Sequence, residues 1–207
     1  MQNERPITAE EGMAILEQTG VLKRGHFLLT SGLHSDQYLQ CALLLQYPWH
    51  AEKVCRALAA PFFGQSIDVV IGPAIGGIVV AYETARALGA RYMHAEREAG
   101  VMTLRRGYRL QPGERVLVVE DVVTTGGSVK EVIRLVQEAG SQLVGVASIV
   151  DRSGGQVDFG VPFHPFIRLN VATYDPHDCP LCRQGLPVEK PGSRQFAEQP
   201  NQTGARS

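Results

Sequence analysis

Two adjacent carboxylates, Glu120 and Asp121, stand just before Thr124-Thr125-Gly126-Gly127-Ser128, and no other stretch of the chain is as chemically specific. Glycines let backbone N–H groups close on an anion, and Thr and Ser hydroxyls add donors. Adjacent acids suit the vicinal hydroxyls of a sugar, and a ribose 5-phosphate offers both partners together. Two other phosphate motifs are excluded. A P-loop ends in Gly-Lys-Ser/Thr, whereas Lys130 falls after Ser128, and no GxGxxG is present. The plainer alternative, an ordinary strand-to-helix turn, does not call for paired acids beside five small polar residues.

The flanking residues say what holds this cluster. Residues 115–119 form a largely apolar run without alternation, as expected of a strand buried on both faces. Beyond the cluster Val129, Val132, Ile133 and Val136 fall at helical spacing. The cluster is therefore predicted on a strand–loop–helix turn, with a helix N-terminus aimed at the anion. Residues 67–71 predict a second buried strand, followed by Gly72-Pro73-Ala74-Ile75-Gly76-Gly77 and a helix to about Leu88. That loop is read either as a further anion site or as a structural turn. Strands are also expected at 91–95, 143–150 and 166–171, and helices at 8–20 and 50–63. Thr8 and Glu11 would form a capping box at the start of the first helix. Residues 26–40 read as two short strands around a Ser-Gly turn. Residues 96–114 read as a protruding hairpin, with strands at 102–104 and 108–110 around a tip at Arg105-Arg106-Gly107.

Strands alternating with helices predict an α/β domain with a mostly parallel, doubly wound sheet. Such sheets bind ligands at the carboxyl ends of their strands. Four polar clusters fall at such ends: the 72–77 loop, Arg97 with Glu98, residues 120–128, and Asp151-Arg152. Arg152 and Arg97 are each expected to bind an anion. Arg105 and Arg106 are either a solvated tip or a lid over such an anion.

Bulk properties narrow the classes. The 207 residues suit one domain, expected at 1–194 with a disordered tail at 195–207, and 44% hydrophobic content supplies its core. A net charge of −1 with dispersed signs gives no nucleic acid or anionic membrane a surface to bind. No apolar run is long enough for a membrane helix, and the first residues, MQNERPITAEEG, do not read as a signal peptide, so a cytoplasmic location is expected. The four cysteines should then be mostly reduced. Cys179-Pro180-Leu181-Cys182 is half of a zinc site at most, with His177 the nearby extra ligand, and two thiols in a Pro-bounded turn are the plainer reading. His26, His34, His50, His94 and His164 show no ligand spacing, so no protein-held metal is expected.

The run of a hydrophobic strand, two acids and a small-residue loop resembles the phosphoribosyl pyrophosphate signature of the type I phosphoribosyltransferases. Residues 27–40, FLLTSGLHSDQYLQ, are similar to the Ser-Gly-x-x-Ser-x-x-Tyr element of the orotate phosphoribosyltransferase family, which forms a hood over the pyrimidine. The resemblance spans about residues 8–190, with the hood mainly 8–45 plus the C-terminal segment. It implies that Arg97, Glu120, Asp121, Val122, Val123, Thr124, Thr125, Gly126, Gly127 and Ser128 bind phosphoribosyl pyrophosphate. Arg97, Glu120 and Asp121 would be catalytic, and Thr124 and Arg152 would contact orotate. It further implies Mg²⁺ carried mainly by the phosphoribosyl pyrophosphate, and a homodimer in which hairpin 96–114 reaches the neighbouring site. The chain departs from the family at Thr30, Gly76 and Glu98, where lysine is usual, so of the mobile loop only Arg97 carries over. Two rivals are a phosphoribosyltransferase for a purine or uracil, and a non-catalytic regulator of the same fold.

Overall fold

A computed structural model describes residues 5–29 and 31–191, so Thr30 and the expected tail at 195–207 lie outside the described residues. The first helix, α1 (Ala9–Gln18), begins as its sequence dictates. The Thr8 hydroxyl accepts from the Glu11 amide, and the Glu11 carboxylate accepts from the Thr8 amide at 2.7 Å, completing the capping box. Two antiparallel strands follow, β1 (Leu22–Leu28) and β2 (His34–Leu39), and then the helices α2 (Ala42–Leu45) and α3 (Pro48–Ala59). The doubly wound part consists of β3 (Val69–Pro73), α4 (Gly77–Leu88), β4 (Arg91–Glu98), β5 (Val101–Leu104), β6 (Arg115–Val123), α5 (Gly127–Glu138), β7 (Gln142–Asp151) and β8 (Phe163–Arg168). Strand β9 (Thr173–Tyr174) and the short helix α6 (Pro180–Arg183) follow it.

The main sheet has the order β5-β4-β3-β6-β7-β8, parallel except for β5. Side chains alternate across it and both faces are apolar, which is why the strand sequences carry no polar alternation. Val70, Leu117, Val119, Ala147 and Ile149 pack beneath α1, α3 and α4. Val69, Ile71, Val116, Val118 and Val146 pack beneath the Val129, Val132, Ile133 and Val136 stripe of α5. A second sheet, β1-β2-β9, takes up the residues expected to form a hood. The 186–189 segment docks on its outer strand, with the Leu28 amide donating to Glu189 O at 2.8 Å and the Glu189 amide donating to His26 O at 2.7 Å. No helix of the described residues is long and apolar enough to cross a membrane.

Three expectations need correction. The hairpin turns at Ala99-Gly100, not at Arg105-Arg106-Gly107: Glu98 pairs with Val101 across a two-residue turn whose φ values are 49° and 85°. Two positive φ values match the twist of the strands they join, which makes this the tighter closure. Residues 108–110 form no strand, because Tyr108 packs on Tyr92 and His94 and Leu110 enters the core beside α5. The last strand of the main sheet starts at Phe163, and its Pro165 is tolerated because β8 is an edge.

Candidate active site

The acids lie within β6 rather than after it, because the ladder with β7 continues to Val123 opposite Asp151. Strand alternation then separates them. Glu120, only 8% exposed, turns into the protein, and Asp121 stays half-buried at the rim. Burial, reinforced by the adjacent Asp121, pushes the Glu120 carboxyl well above the usual carboxylate range. Asp121 is oriented by its own strand, its Oδ1 accepting from the Val122 amide at 2.8 Å.

The 72–77 loop rises from β3 alongside β6 and presses against this pair. A Cβ at Gly72 would sit 2.7 Å from Gly77 O and 2.9 Å from Val119 O, so only glycine allows the loop to lie this close. A Cβ at Gly76 would sit 2.7 Å from Asp121 Oδ1. The loop and the acidic strand therefore share one wall, and Asp121 fills the space beside Gly76.

The residues that follow are those expected to cradle an anion. A small pocket is lined by Glu120 and Val122, Val123, Thr124, Thr125, Gly126, Gly127 and Ser128. Gly126, at φ 74°, turns the chain from β6 into α5, and a Cβ there would meet Val157 Cγ1 at 2.8 Å and Phe159 Cε1 at 2.9 Å. The first turn of α5 has no side-chain cap, so its amides are left for an anion in the pocket to satisfy.

Arg152 lies one residue beyond β7, and its amide donates to Val123 O at 2.8 Å, tying it to the cradle. Asp151, buried, shapes the turn by accepting from the Ser153 amide at 2.8 Å. The Arg152 side chain is half-buried, and its Nε has no hydrogen-bond partner among the described residues. Burial holds its basicity below the ordinary arginine value, with Tyr38 acting in the opposite sense. Tyr38 reaches in from β2 of the hood. Burial raises its phenol, Asp121 raises it further, and Arg152 lowers it. Tyr38 thus lies within electrostatic reach of both Asp121 and Arg152. Its motif marks it in the sequence, but no spacing there brings it to these two residues.

Arg97 stands apart from this group. It lies on β4 near the hairpin turn, where its guanidinium pairs with Glu131 of α5 at 2.7 Å and donates to Gly100 O at 3.1 Å. Arg105 reaches Glu98 at 3.3 Å and Arg106 reaches Glu96 at 3.2 Å, so both fold back on the hairpin. Of the expected residues, the structure gathers Glu120, Asp121, the 122–128 cradle and Arg152, and leaves Arg97 outside in this chain. Cys179 and Cys182 meet His26 and His34, rather than His177.

The family profile described as phosphoribosyl transferase domain matches residues 49–158, which spans the loop, the acids and the cradle. The chain belongs to the phosphoribosyltransferase family. It is 59% identical over 187 residues to an orotate phosphoribosyltransferase of Caldanaerobacter subterraneus subsp. tengcongensis, covering 90% of this chain and 98% of that one. A second orotate phosphoribosyltransferase, from Pelotomaculum thermopropionicum, is 57% identical over 190 residues, 92% of this chain and 100% of the relative. Among solved structures, orotate phosphoribosyltransferase from Aeropyrum pernix superposes with a TM-score of 0.64 at 26% identity, covering 75% of this chain and 92% of that chain.

Proposed function

We propose that this protein transfers the 5-phosphoribosyl group from phosphoribosyl pyrophosphate to orotate, giving orotidine 5′-phosphate and pyrophosphate for pyrimidine nucleotide synthesis. The observation that carries the choice of base is Arg152, half-buried under the hood beside Tyr38, with an Nε that no described group of the protein satisfies. Orotate differs from uracil by a carboxylate, which is the partner such a donor takes. A purine or uracil would leave the cation desolvated and unpaired, which disfavours both.

Placement supports the following roles. Residues 124–128 and the α5 N-terminus hold the 5-phosphate, and this remote contact orients the reacting carbon. Asp121 and Glu120 hold the ribose hydroxyls. As the anomeric C–O bond breaks, the Asp121 carboxylate favours the positive charge that develops on the ring. The 72–77 loop offers backbone amides to the leaving pyrophosphate, and its contact with Asp121 sets the distance between leaving group and sugar. Thr124, the first residue of that run, also contacts the base. None of these groups has to act as a strong base.

The residues fit Mg²⁺ brought in on the substrate better than a protein cage. Asp121 is the more open carboxylate of the pair, and an octahedral ion needs more oxygens than it offers. When bound, Mg²⁺ supplies neutralising charge to the diphosphate.

Arg97 is assigned to the leaving group of a neighbouring subunit's site, in a homodimer. Two observations support this. Arg97 is turned toward Glu131 rather than toward its own cradle. In addition Ile75, Val79 and Tyr82, all exposed, form an apolar stripe of the kind that partners cover. The pairing of Arg97 with Glu131 is about one-third exposed on both sides and therefore weak enough to be exchanged. The cytoplasm, where its cysteines stay reduced, is the compartment this reading assigns.

The test is an acceptor screen of orotate, uracil, adenine and hypoxanthine with phosphoribosyl pyrophosphate and Mg²⁺, following pyrophosphate release and nucleotide product. Orotate should be used by a margin of at least about tenfold, the worth of one charge-assisted hydrogen bond. Preference for a purine, or no turnover with any acceptor, overturns the assignment.

A further inference from the structure

Away from the acidic strand, two histidines and two cysteines converge beneath the hood. His26 lies on β1, His34 on β2, Cys179 just before α6 and Cys182 within it. One ligand atom from each falls within 4.8 Å of all the others. His26 Nε2 lies 3.6 Å from Cys179 Sγ, 3.7 Å from Cys182 Sγ and 2.8 Å from His34 Nδ1, while His34 Nδ1 lies 3.3 Å from Cys182 Sγ. A tetrahedral zinc ion with ordinary bond lengths requires edges of roughly 3.3 Å between nitrogens and roughly 3.6 Å between nitrogen and sulfur. The nitrogen–sulfur edges already lie close to this, and the two nitrogens need only part by about half an ångström.

The surroundings favour a metal over a chance cluster. The other ring nitrogen of His26, Nδ1, bonds to Leu186 O at 2.8 Å. A carbonyl can only accept, so Nδ1 carries the proton and Nε2 points its lone pair into the cluster. This is the outer bond that fixes a metal-binding imidazole. Cys179, His26 and His34 are 1%, 3% and 7% exposed, whereas Cys182 is open to solvent and gives an ion a way in. Two thiolates balance a dication, so the loaded site would bury no net charge. Sulfur and imidazole in tetrahedral array select zinc over Mg²⁺, and four protein ligands make a closed, structural site.

We propose that His26, His34, Cys179 and Cys182 bind one Zn²⁺ per chain, and that this ion clamps the C-terminal segment onto the hood. Binding would release the thiol protons and return part of its free energy as hood stability.

Protein purified without chelator should contain about one zinc per chain, and Cys179→Ser and His26→Ala should lose it. Cys182→His, which keeps four ligands, should retain it, and His177→Ala should leave it unchanged. Should a variant fail to fold, the parent chain suffices: reduced, metal-stripped protein titrated with Co²⁺ should develop thiolate charge-transfer absorption and the intense visible bands of tetrahedral cobalt at one equivalent. Stripping should lower Tm and raise KM for orotate while KM for phosphoribosyl pyrophosphate holds. The metal measurements are independent of which base the protein accepts. Substoichiometric zinc together with no cobalt–thiolate absorption overturns the proposal, as does zinc lost from His177→Ala but kept in His26→Ala.

Discussion

Glu120 and Asp121 are neighbours in sequence with opposite environments, and their substitutions should separate accordingly. Glu120 has its pKa raised in the folded protein, chiefly by burial. The native state therefore binds more protons than the unfolded chain between the ordinary carboxylate value of about 4.3 and the raised one. Unfolding free energy falls as pH rises across that window, so Glu120 is fully compatible with stability only below it. Glu120→Gln should match the parent's Tm near pH 4, exceed it increasingly toward neutral pH, and lose most activity. A Tm difference that stays flat with pH would remove the argument. Asp121→Asn should lower kcat far more than it weakens binding of either substrate, since its charge matters most as the ring becomes cationic. Equal kcat in variant and parent would refute that role. Arg152→Ala should raise KM for orotate at least about tenfold, leave KM for phosphoribosyl pyrophosphate little changed, and narrow the preference over uracil. Retention of full preference for orotate in steady-state assays would discard the base assignment.

The cradle is an element rather than a residue, and its geometry hangs on Gly126. An alanine there would have to adopt a left-handed backbone, at a cost of about 1 kcal/mol or more. It would also press on Val157 and Phe159. Gly126→Ala should lower Tm and weaken phosphoribosyl pyrophosphate binding together, as read by thermal melts and kinetics. How far an element can be read from sequence depends on how local its determinants are. The α1 capping box, the α5 stripe and the strand–loop–helix order are written in spacings of two to four residues, and all of them form. The hairpin tip is misread because Arg-Arg-Gly is a louder turn signal than Ala-Gly, while pairing between β4 and β5 decides the register. The place of Tyr38 and the meeting of His26 with Cys179 are invisible for a different reason. Their partners lie far along the chain, and only the hood topology joins them.

At the scale of the whole molecule, the isolated chain has a complete cradle and acid pair, but its Arg97 faces Glu131 instead of them. If the cation is supplied across a dimer, mixing an inactive Arg97→Ala chain with an inactive Asp121→Asn chain should restore part of the activity, because one mixed site would hold both wild-type groups. Sedimentation velocity should show a dimer at assay concentration. A monomer that remains active on dilution would rule out the shared site.

The hood also sets an order of assembly. Its strands β1 and β2 are made early, yet His26 waits for Leu186, 160 residues later, and β2 waits for β9. Closing such a distant contact is slow, and nothing rewards it until the intervening sheet has formed. A chain emerging from the ribosome would complete β6 and α5 while the hood was still unfinished. Nascent chains halted once β8 has left the ribosome should therefore bind phosphoribosyl pyrophosphate while holding orotate more weakly than the full chain, so full affinity for the base should be the last property gained.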